Sequence, residues 1–249
     1  MNPISQAINT VIDHTSGIYR RFNSAIIVAA GSGTRASTTS TKQMVKLNGK
    51  PLIAHTVSAF EACKFINEIV LVIKSDERPL YEAMAHKYEW KKPLTLVTGG
   101  ATRQASVLEG FKAISDRSEY VYIHDGARCL ITEEMIAAVG HKACLTGAAF
   151  AACRPHDTVK KQDASGVTST IDRDQLWLAQ TPQVFMTEMY RAAAYRGLQQ
   201  NLTVTDDAQL IEAAGFAVTP VDCGTQNIKV THPCDFAIAE AILAYRYKA

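Results

Sequence analysis

Several short stretches of this chain carry residue types that could do chemistry on an anion. Gly31-Ser32-Gly33-Thr34-Arg35 follows directly on the continuous apolar run 25–30. A glycine turn at the end of a buried strand presents backbone N–H groups that can hold an anion. Arg35, Lys42, Lys46 and Lys50 come close behind, and from His14 to Phe60 there is no Asp or Glu at all. Cations with no acid nearby suit a polyanion, and a triphosphate is the natural candidate. A solvated basic loop beside an ordinary strand-end turn accounts for the same residues. The turn is not a G-x-x-x-x-G-K-[ST] loop. Gly31 to Ala36 does match G-x-G-x-x-A, but a dinucleotide site needs an acid about 20 residues on to hold a ribose. Those positions fall near 51–55, and the first acid is Glu61, so the nicotinamide reading fails.

Two further stretches follow apolar runs. Gly99-Gly100-Ala101-Thr102-Arg103-Gln104-Ala105-Ser106 joins a strand pattern to a helix pattern. Its paired glycines permit close approach of a flat ligand, and Ser106 offers a hydroxyl; a plain turn with a capping residue is the simpler reading. His124-Asp125-Gly126-Ala127-Arg128 ends the run 120–123. Ligands of open parallel sheets sit beyond the carboxyl ends of strands, and a carboxylate there can hold a hydroxyl or Mg²⁺. Asp125 paired with Arg128 serves equally well, and His124 reads as a packed, hydrogen-bonded histidine. Asp172-Arg173, Gln180-Thr181-Pro182-Gln183 and Asn227-Ile228-Lys229-Val230-Thr231 are polar islands in otherwise structural sequence. Lys229 within a short strand pattern reads first as an edge-strand gatekeeper, second as a cation aimed into a site.

Positioning such residues requires a scaffold, and the hydrophobic pattern supplies one. Buried-type runs at 25–30, 69–73, 94–97 and 120–123 alternate with helix-like segments at 51–63, 76–88 and 103–114. Strand alternating with helix implies right-handed crossovers and a mainly parallel sheet. A helix over 132–145 and a small-residue strand over 148–152 come next. Polar strands 157–161 and 167–171 flank the turn signal Asp163-Ala164-Ser165-Gly166, which predicts a hairpin. A lone hairpin is marginally stable, so the segment 154–183 is expected to project as an arm covered by a second subunit. Helices over 187–198 and 206–214, short strands over 216–221 and 227–230, and a last helix opened by Pro233 complete the chain.

Composition narrows the functional classes. With 26 Lys+Arg against 24 Asp+Glu the net charge is +2, which gives no support to a general nucleic-acid coat protein. No uncharged apolar run reaches membrane-spanning length. The six cysteines form no C-x-x-C pair and read as buried thiols in a reducing compartment. Residues 1–23 lack the basic and apolar regions of a secretory signal. Ile4, Ile8, Val11 and Ile12 recur at helical spacing, so an added amphipathic helix is the preferred reading of this extension. A plastid-type transit peptide is the less favoured one, and the expected location is cytoplasmic. The remaining residues, 24–249, form one domain.

Taken in chain order, the motifs carry a resemblance. Ala29-Ala30-Gly31-Ser32-Gly33-Thr34-Arg35, Lys42-Gln43, Gly99-Gly100, Arg103, Ser106-Val107, His124-Asp125-x-Ala127-Arg128, Asp157-Thr158-x-Lys160, Asp172-Arg173, Gln180-Thr181-Pro182-Gln183, Thr205-Asp206-Asp207 and Asn227-Ile228-Lys229-x-Thr231 together resemble the 2-C-methyl-D-erythritol 4-phosphate cytidylyltransferase family of the non-mevalonate isoprenoid pathway. Each motif is weak and the ordered set is specific. The resemblance implies a Rossmann-like nucleotidyltransferase fold, a homodimer clasped by the arm, and transfer of a cytidylyl group from CTP to methylerythritol phosphate with Mg²⁺. By position it implies that Arg35 and Lys42 bind the CTP phosphates and that Lys229 bridges CTP and the acceptor phosphate. Arg173 and Thr158 would hold that acceptor phosphate from the arm. Asp125 and Arg128 would meet the acceptor hydroxyls, with Asp125 also near the metal and Thr181 supporting the pocket. Ala29, Ala30, Gly31, Gly33, Gly100 and Ser106 would read the cytosine and its surroundings. Thr41, Ala36, Ala101, Gly126 and Cys129 depart from the family pattern, yet none of them removes a charge the chemistry needs. A ribitol-5-phosphate cytidylyltransferase is the nearest rival, and a non-catalytic nucleotide-binding protein on the same scaffold is the rival from another class.

Overall fold

The computed structural model of the chain describes residues 17–31 and 42–248. The amphipathic segment expected near the N-terminus, and Gly33 and Arg35 with the rest of 32–41, lie outside the described residues. The side chains of the central strands enter the cores on the two faces of the sheet. On β1 (Asn23–Val28) the side chains of Ala25 and Ile27 enter one core and Ile26 enters the other. Full burial on both faces is what a continuous apolar run demands.

A hairpin of β2 (Lys46–Leu47) and β3 (Lys50–Pro51) leads into α1 (Leu52–Ala62). The crossovers then run through β4 (Glu68–Ile73), α2 (Arg78–Lys87), β5 (Leu94–Thr98), α3 (Arg103–Lys112) and β6 (Tyr120–Asp125). Next come α4 (Glu133–Thr146) and β7 (Ala148–Cys153), then the small hairpin β8 (Lys160–Gln162) and β9 (Thr168–Thr170). The chain returns through β10 (Leu178–Met186), α5 (Thr187–Gln199), α6 (Asp207–Ala213), β11 (Thr219–Asp222) and α7 (Pro233–Lys248). Among the described residues seven strands form one sheet in the order β11-β7-β10-β6-β1-β4-β5, parallel except for β10. One face is covered by α1, α2 and α4 through Val57, Phe60, Tyr81, Ile136 and Val139; the other by α3, α5 and α6 through Val107, Phe111, Tyr190 and Ile211. This is the expected mainly parallel α/β sheet with helices on both faces.

Three details differ from the pattern-based expectation. The arm segment expected over 154–183 gives up its last residues, because Leu178–Met186 pairs with both β6 and β7 inside the sheet. Its polar residues Gln180 and Thr181 are buried there by hydrogen bonding rather than by apolar character. Residues 227–230 form no strand, so Lys229 is not an edge-strand gatekeeper. The end of the extension is integral to the domain: Ile18 is fully buried in the core, and Asn23 Nδ2 donates to its carbonyl at 3.0 Å. All six cysteines are free thiols, and burial pushes those of Cys144 and Cys223 up to about 11.

Candidate active site

The chain leaves β1 toward β4 and β5 on one side and returns to β6 on the other. Carboxyl-end loops diverge at such a reversal and open a crevice. Val28 and Asp125 stand side by side across it. Here lies a cavity of about 400 Å³, lined by Ala30, Gly31, Gly100, Ser106, Lys42 and Lys229 among others. A second, of about 280 Å³, is lined by Arg128, Gln180, Thr181, Gln183, Thr205 and Asp206. Arg103, Asp125 and Lys229 belong to both linings and form the wall between them.

Backbone geometry shapes the first cavity. The Ala29 N–H donates to the Val72 carbonyl at 2.7 Å and the Gly99 N–H to that of Ile73 at 2.8 Å, which brings the two strand-end turns together. A Cβ on Gly99 would stand 2.4 Å from that of Ala30, so only glycine fits. Gly100 N–H donates to Ser106 Oγ at 3.1 Å, and the Ser106 hydroxyl closes the turn. Thr102 caps α3, accepting from the Ala105 N–H at 3.0 Å. The amino end of this ten-residue helix therefore opens on the cavity, and its dipole favours an anion there. Ala29 itself turns into the core beneath the site.

The dividing wall is an ionic cluster. Asp125 accepts from Arg103 Nε at 2.9 Å and from Lys229 Nζ at 2.7 Å. Burial pushes the Asp125 carboxyl up, but Arg103 and Lys229 outweigh it and hold it well below the usual carboxylate range. Arg103 reaches back to the buried Asp207 at 2.7 Å, and Tyr190 donates to the other oxygen of Asp207 at 3.1 Å. Burial alone would lower the Arg103 guanidinium, but Asp207 and Asp125 raise it.

Residues 227–230 are pinned as a loop from several sides. The buried Asn227 donates to Gln180 Oε1 and to the Thr181 carbonyl at 3.0 and 2.9 Å. Arg128 donates to the Asn227 carbonyl at 2.7 Å, and Lys42 Nζ to that of Val230 at 2.8 Å. Lys229 is thus delivered to Asp125 by a segment with no regular structure of its own. Opposite it, Gln183 Oε1 accepts the Asp207 and Ala208 N–H groups at 2.9 Å each, tying β10 to the amino end of α6.

The structure brings Lys42, Lys229, Ala30, Gly31, Gly100, Ser106, Asp125, Arg128 and Thr181 around these two joined cavities. It does not bring Arg173 or Thr158 there. Both are exposed, and Arg173 donates to the His156 carbonyl at 2.5 Å within the arm. Sequence reasoning assigned no role to Arg103, Gln183, Asp206 or Asp207. Their signal was present in the quoted motifs, but it marks position in the chain and not partnership across it.

Two cavities that share a wall of Arg103, Asp125 and Lys229 at a parallel-sheet reversal suit a transferase that brings two anionic substrates together. Residues 24–245 match the profile of the 2-C-methyl-D-erythritol 4-phosphate cytidylyltransferase family. Proteins of that name from Thermosynechococcus vestitus and Parasynechococcus marenigrum are 40% and 42% identical over 222 and 224 residues; the alignments cover 89% of this chain and 95% and 97% of theirs. A crystal structure of 4-diphosphocytidyl-2C-methyl-D-erythritol synthase from Anaerococcus prevotii superposes with a TM-score of 0.82 at 32% identity, covering 90% of this chain and 99% of that one. The Thermus thermophilus cytidylyltransferase gives 0.73 at 30% identity, covering 88% and 97%. The chain belongs to the 2-C-methyl-D-erythritol 4-phosphate cytidylyltransferase family.

Proposed function

We infer that the protein joins CTP to 2-C-methyl-D-erythritol 4-phosphate, giving CDP-methylerythritol and pyrophosphate. Family membership supports this, and the observation that carries it is the shared wall of Arg103, Asp125 and Lys229 between two cavities. In this reading the nucleotide occupies the larger cavity, with its phosphates toward Lys42 and the amino end of α3. The acceptor occupies the smaller cavity beside Arg128 and Thr181. An acceptor phosphate oxygen forms a bond to the α-phosphorus as the bond from that phosphorus to the bridging oxygen breaks, and pyrophosphate leaves. The attacking oxygen is already ionised, so no general base is needed. The main terms are charge stabilisation and alignment.

A Mg²⁺ ion fits this donor set. Each Asp125 oxygen accepts one hydrogen bond from a side chain, which leaves lone pairs for a cation. Such ions commonly take one or two carboxylates and complete their shell from substrate phosphates and water. When bound, the ion neutralises phosphate charge.

The test is pyrophosphate release with CTP and Mg²⁺. Methylerythritol phosphate should turn over roughly 10²-fold or more faster than ribitol 5-phosphate, and chelation of the metal should abolish release. Faster turnover of ribitol phosphate would reassign the acceptor. CTP binding with no release for either acceptor would leave a binding protein.

The reading extends to a homodimer. The strands of the β8–β9 hairpin are exposed throughout, and Val167 between them is a large apolar side chain left open to solvent. A partner clasped by this arm would cover them and could receive Arg173 and Thr158 at its acceptor cavity. Light scattering of the purified protein should return twice the 27.2 kDa chain mass; a monomer would remove the basis for those two roles. Free thiols and a CTP substrate support a cytoplasmic location.

A further inference from the structure

His124 is buried behind Asp125, Arg128 and Thr181, which line the acceptor cavity, and plays no part in the scheme above. It is fully buried and packs against Phe60 with ring centroids 5.1 Å apart. Its Nε2 lies 3.2 Å from the Arg128 carbonyl oxygen, and its Nδ1 lies 3.1 Å from Thr181 Oγ1. The Asp125 N–H donates to the same Thr181 oxygen at 3.0 Å. A carbonyl oxygen can only accept, so Nε2 must carry a proton. Among the described residues the Thr181 hydroxyl has two partners, the Asp125 N–H, which donates to it, and His124 Nδ1, so its own proton is left to go to Nδ1. Nδ1 is then an acceptor, and the Thr181 hydroxyl must donate to it. The proton positions follow one direction only, from Asp125 N–H through the Thr181 hydroxyl and the imidazole to the Arg128 carbonyl.

This relay stands where the sheet ladder is interrupted. The register between β10 and β7 shifts between Ala179 and Gln183, and β10 pairs with β6 only from Gln183 onward. The Asp125 N–H therefore finds no carbonyl on β10 and takes a side-chain hydroxyl instead. Without an acceptor at Nδ1, the Thr181 hydroxyl is free to rotate.

We propose that His124 is a positioning residue for the acceptor cavity: with its proton on Nε2 and its Nδ1 bare, it orients the Thr181 hydroxyl and through it fixes the backbone of Asp125 and Arg128. The assignment of that cavity to the acceptor rests on the function inferred above; the relay itself does not. Long-range proton–nitrogen NMR of the intact protein with ¹⁵N-labelled histidine reads the tautomer directly. The expected signal for His124 is a protonated Nε2 and a bare Nδ1, and a ring protonated on Nδ1 would overturn the relay. That measurement needs no turnover, so it decides the relay even if the protein released no pyrophosphate, a failure that would count against the function alone.

Two substitutions separate positioning from bulk structure. His124→Gln can keep a donor near the Arg128 carbonyl but loses the Nδ1 acceptor. His124→Asn can place its amide oxygen near the Nδ1 position. One lost hydrogen bond corresponds to about a tenfold change. We expect His124→Gln to raise the acceptor KM about tenfold, with the CTP KM changed by no more than about twofold. His124→Asn should recover part of that loss. Equal effects of His124→Gln on both KM values, or none on the acceptor KM, would show that His124 merely fills space.

Discussion

Replacing Lys229 with methionine should lower kcat by about 10²–10³-fold, the usual cost of removing one preorganised donor that meets developing charge. Among the described residues Lys229 is the only lysine on the wall shared by the two cavities. Its ammonium lies 2.7 Å from Asp125 Oδ2, and its side chain is 42% exposed. An ion pair that open contributes at most about 1 kcal/mol to stability, so the fold should survive; Asp125 keeps Arg103 as a partner at 2.9 Å. Methionine retains most of the aliphatic length, so packing around the loop changes little. The effect should fall on kcat more than on the CTP KM, because Lys42 and the amino end of α3 remain to hold the nucleotide. Steady-state kinetics with a urea melt as control makes the check. A kcat within threefold of wild type would exclude Lys229 from the transfer step.

Asp207→Ala should cost about 3–5 kcal/mol of folding stability, the range seen when one member of a buried ion pair is removed. Asp207 is 2% exposed, and it accepts from both Arg103 and Tyr190. Alanine leaves the buried Tyr190 hydroxyl without its acceptor and Arg103 without the carboxylate behind it. Burial raises the Asp207 carboxyl despite Arg103 beside it, so a neutral amide is tolerated better than a void. Asp207→Asn should be milder than alanine, and Tyr190→Phe should cost only about 1 kcal/mol. Urea unfolding of the three variants tests the order. An alanine variant within about 1 kcal/mol of wild type would show that this cluster is not an anchor for Arg103.

The two predictions divide the cluster by depth. Lys229 at the solvent side serves the substrates, and Asp207 at the core side holds the wall upright. Arg103 joins them, spanning from Asp207 to Asp125. Its place in the motif order was visible in the chain, but its two carboxylates lie 22 and 104 residues away.

Apolar periodicity and glycine placement were enough to mark β1, β4, β5 and β6 within a few residues, because β1, β4 and β6 are buried on both faces and the edge strand β5 still carries an apolar run. The β10 strand escaped this reading. Its Gln180, Thr181 and Gln183 are buried by hydrogen-bond partners on other segments, so no hydrophobic run advertises it. The loop bearing Lys229 escaped for the related reason that its shape comes from Asn227, Arg128 and Lys42 and not from its own backbone pattern.

From the chain alone came the alternation of strand and helix, the glycine turns, the acid-free basic stretch and the ordered motifs of the family. All are local, set by side-chain period and backbone freedom within a few residues. Only the tertiary structure decided that Lys229 meets Asp125, that Arg103 is held from behind by Asp207, and that Arg173 stands away from its own chain's site. Those outcomes depend on hydrogen bonds and charges meeting across a hundred residues of chain, and the spacing of neighbours carries no record of such meetings.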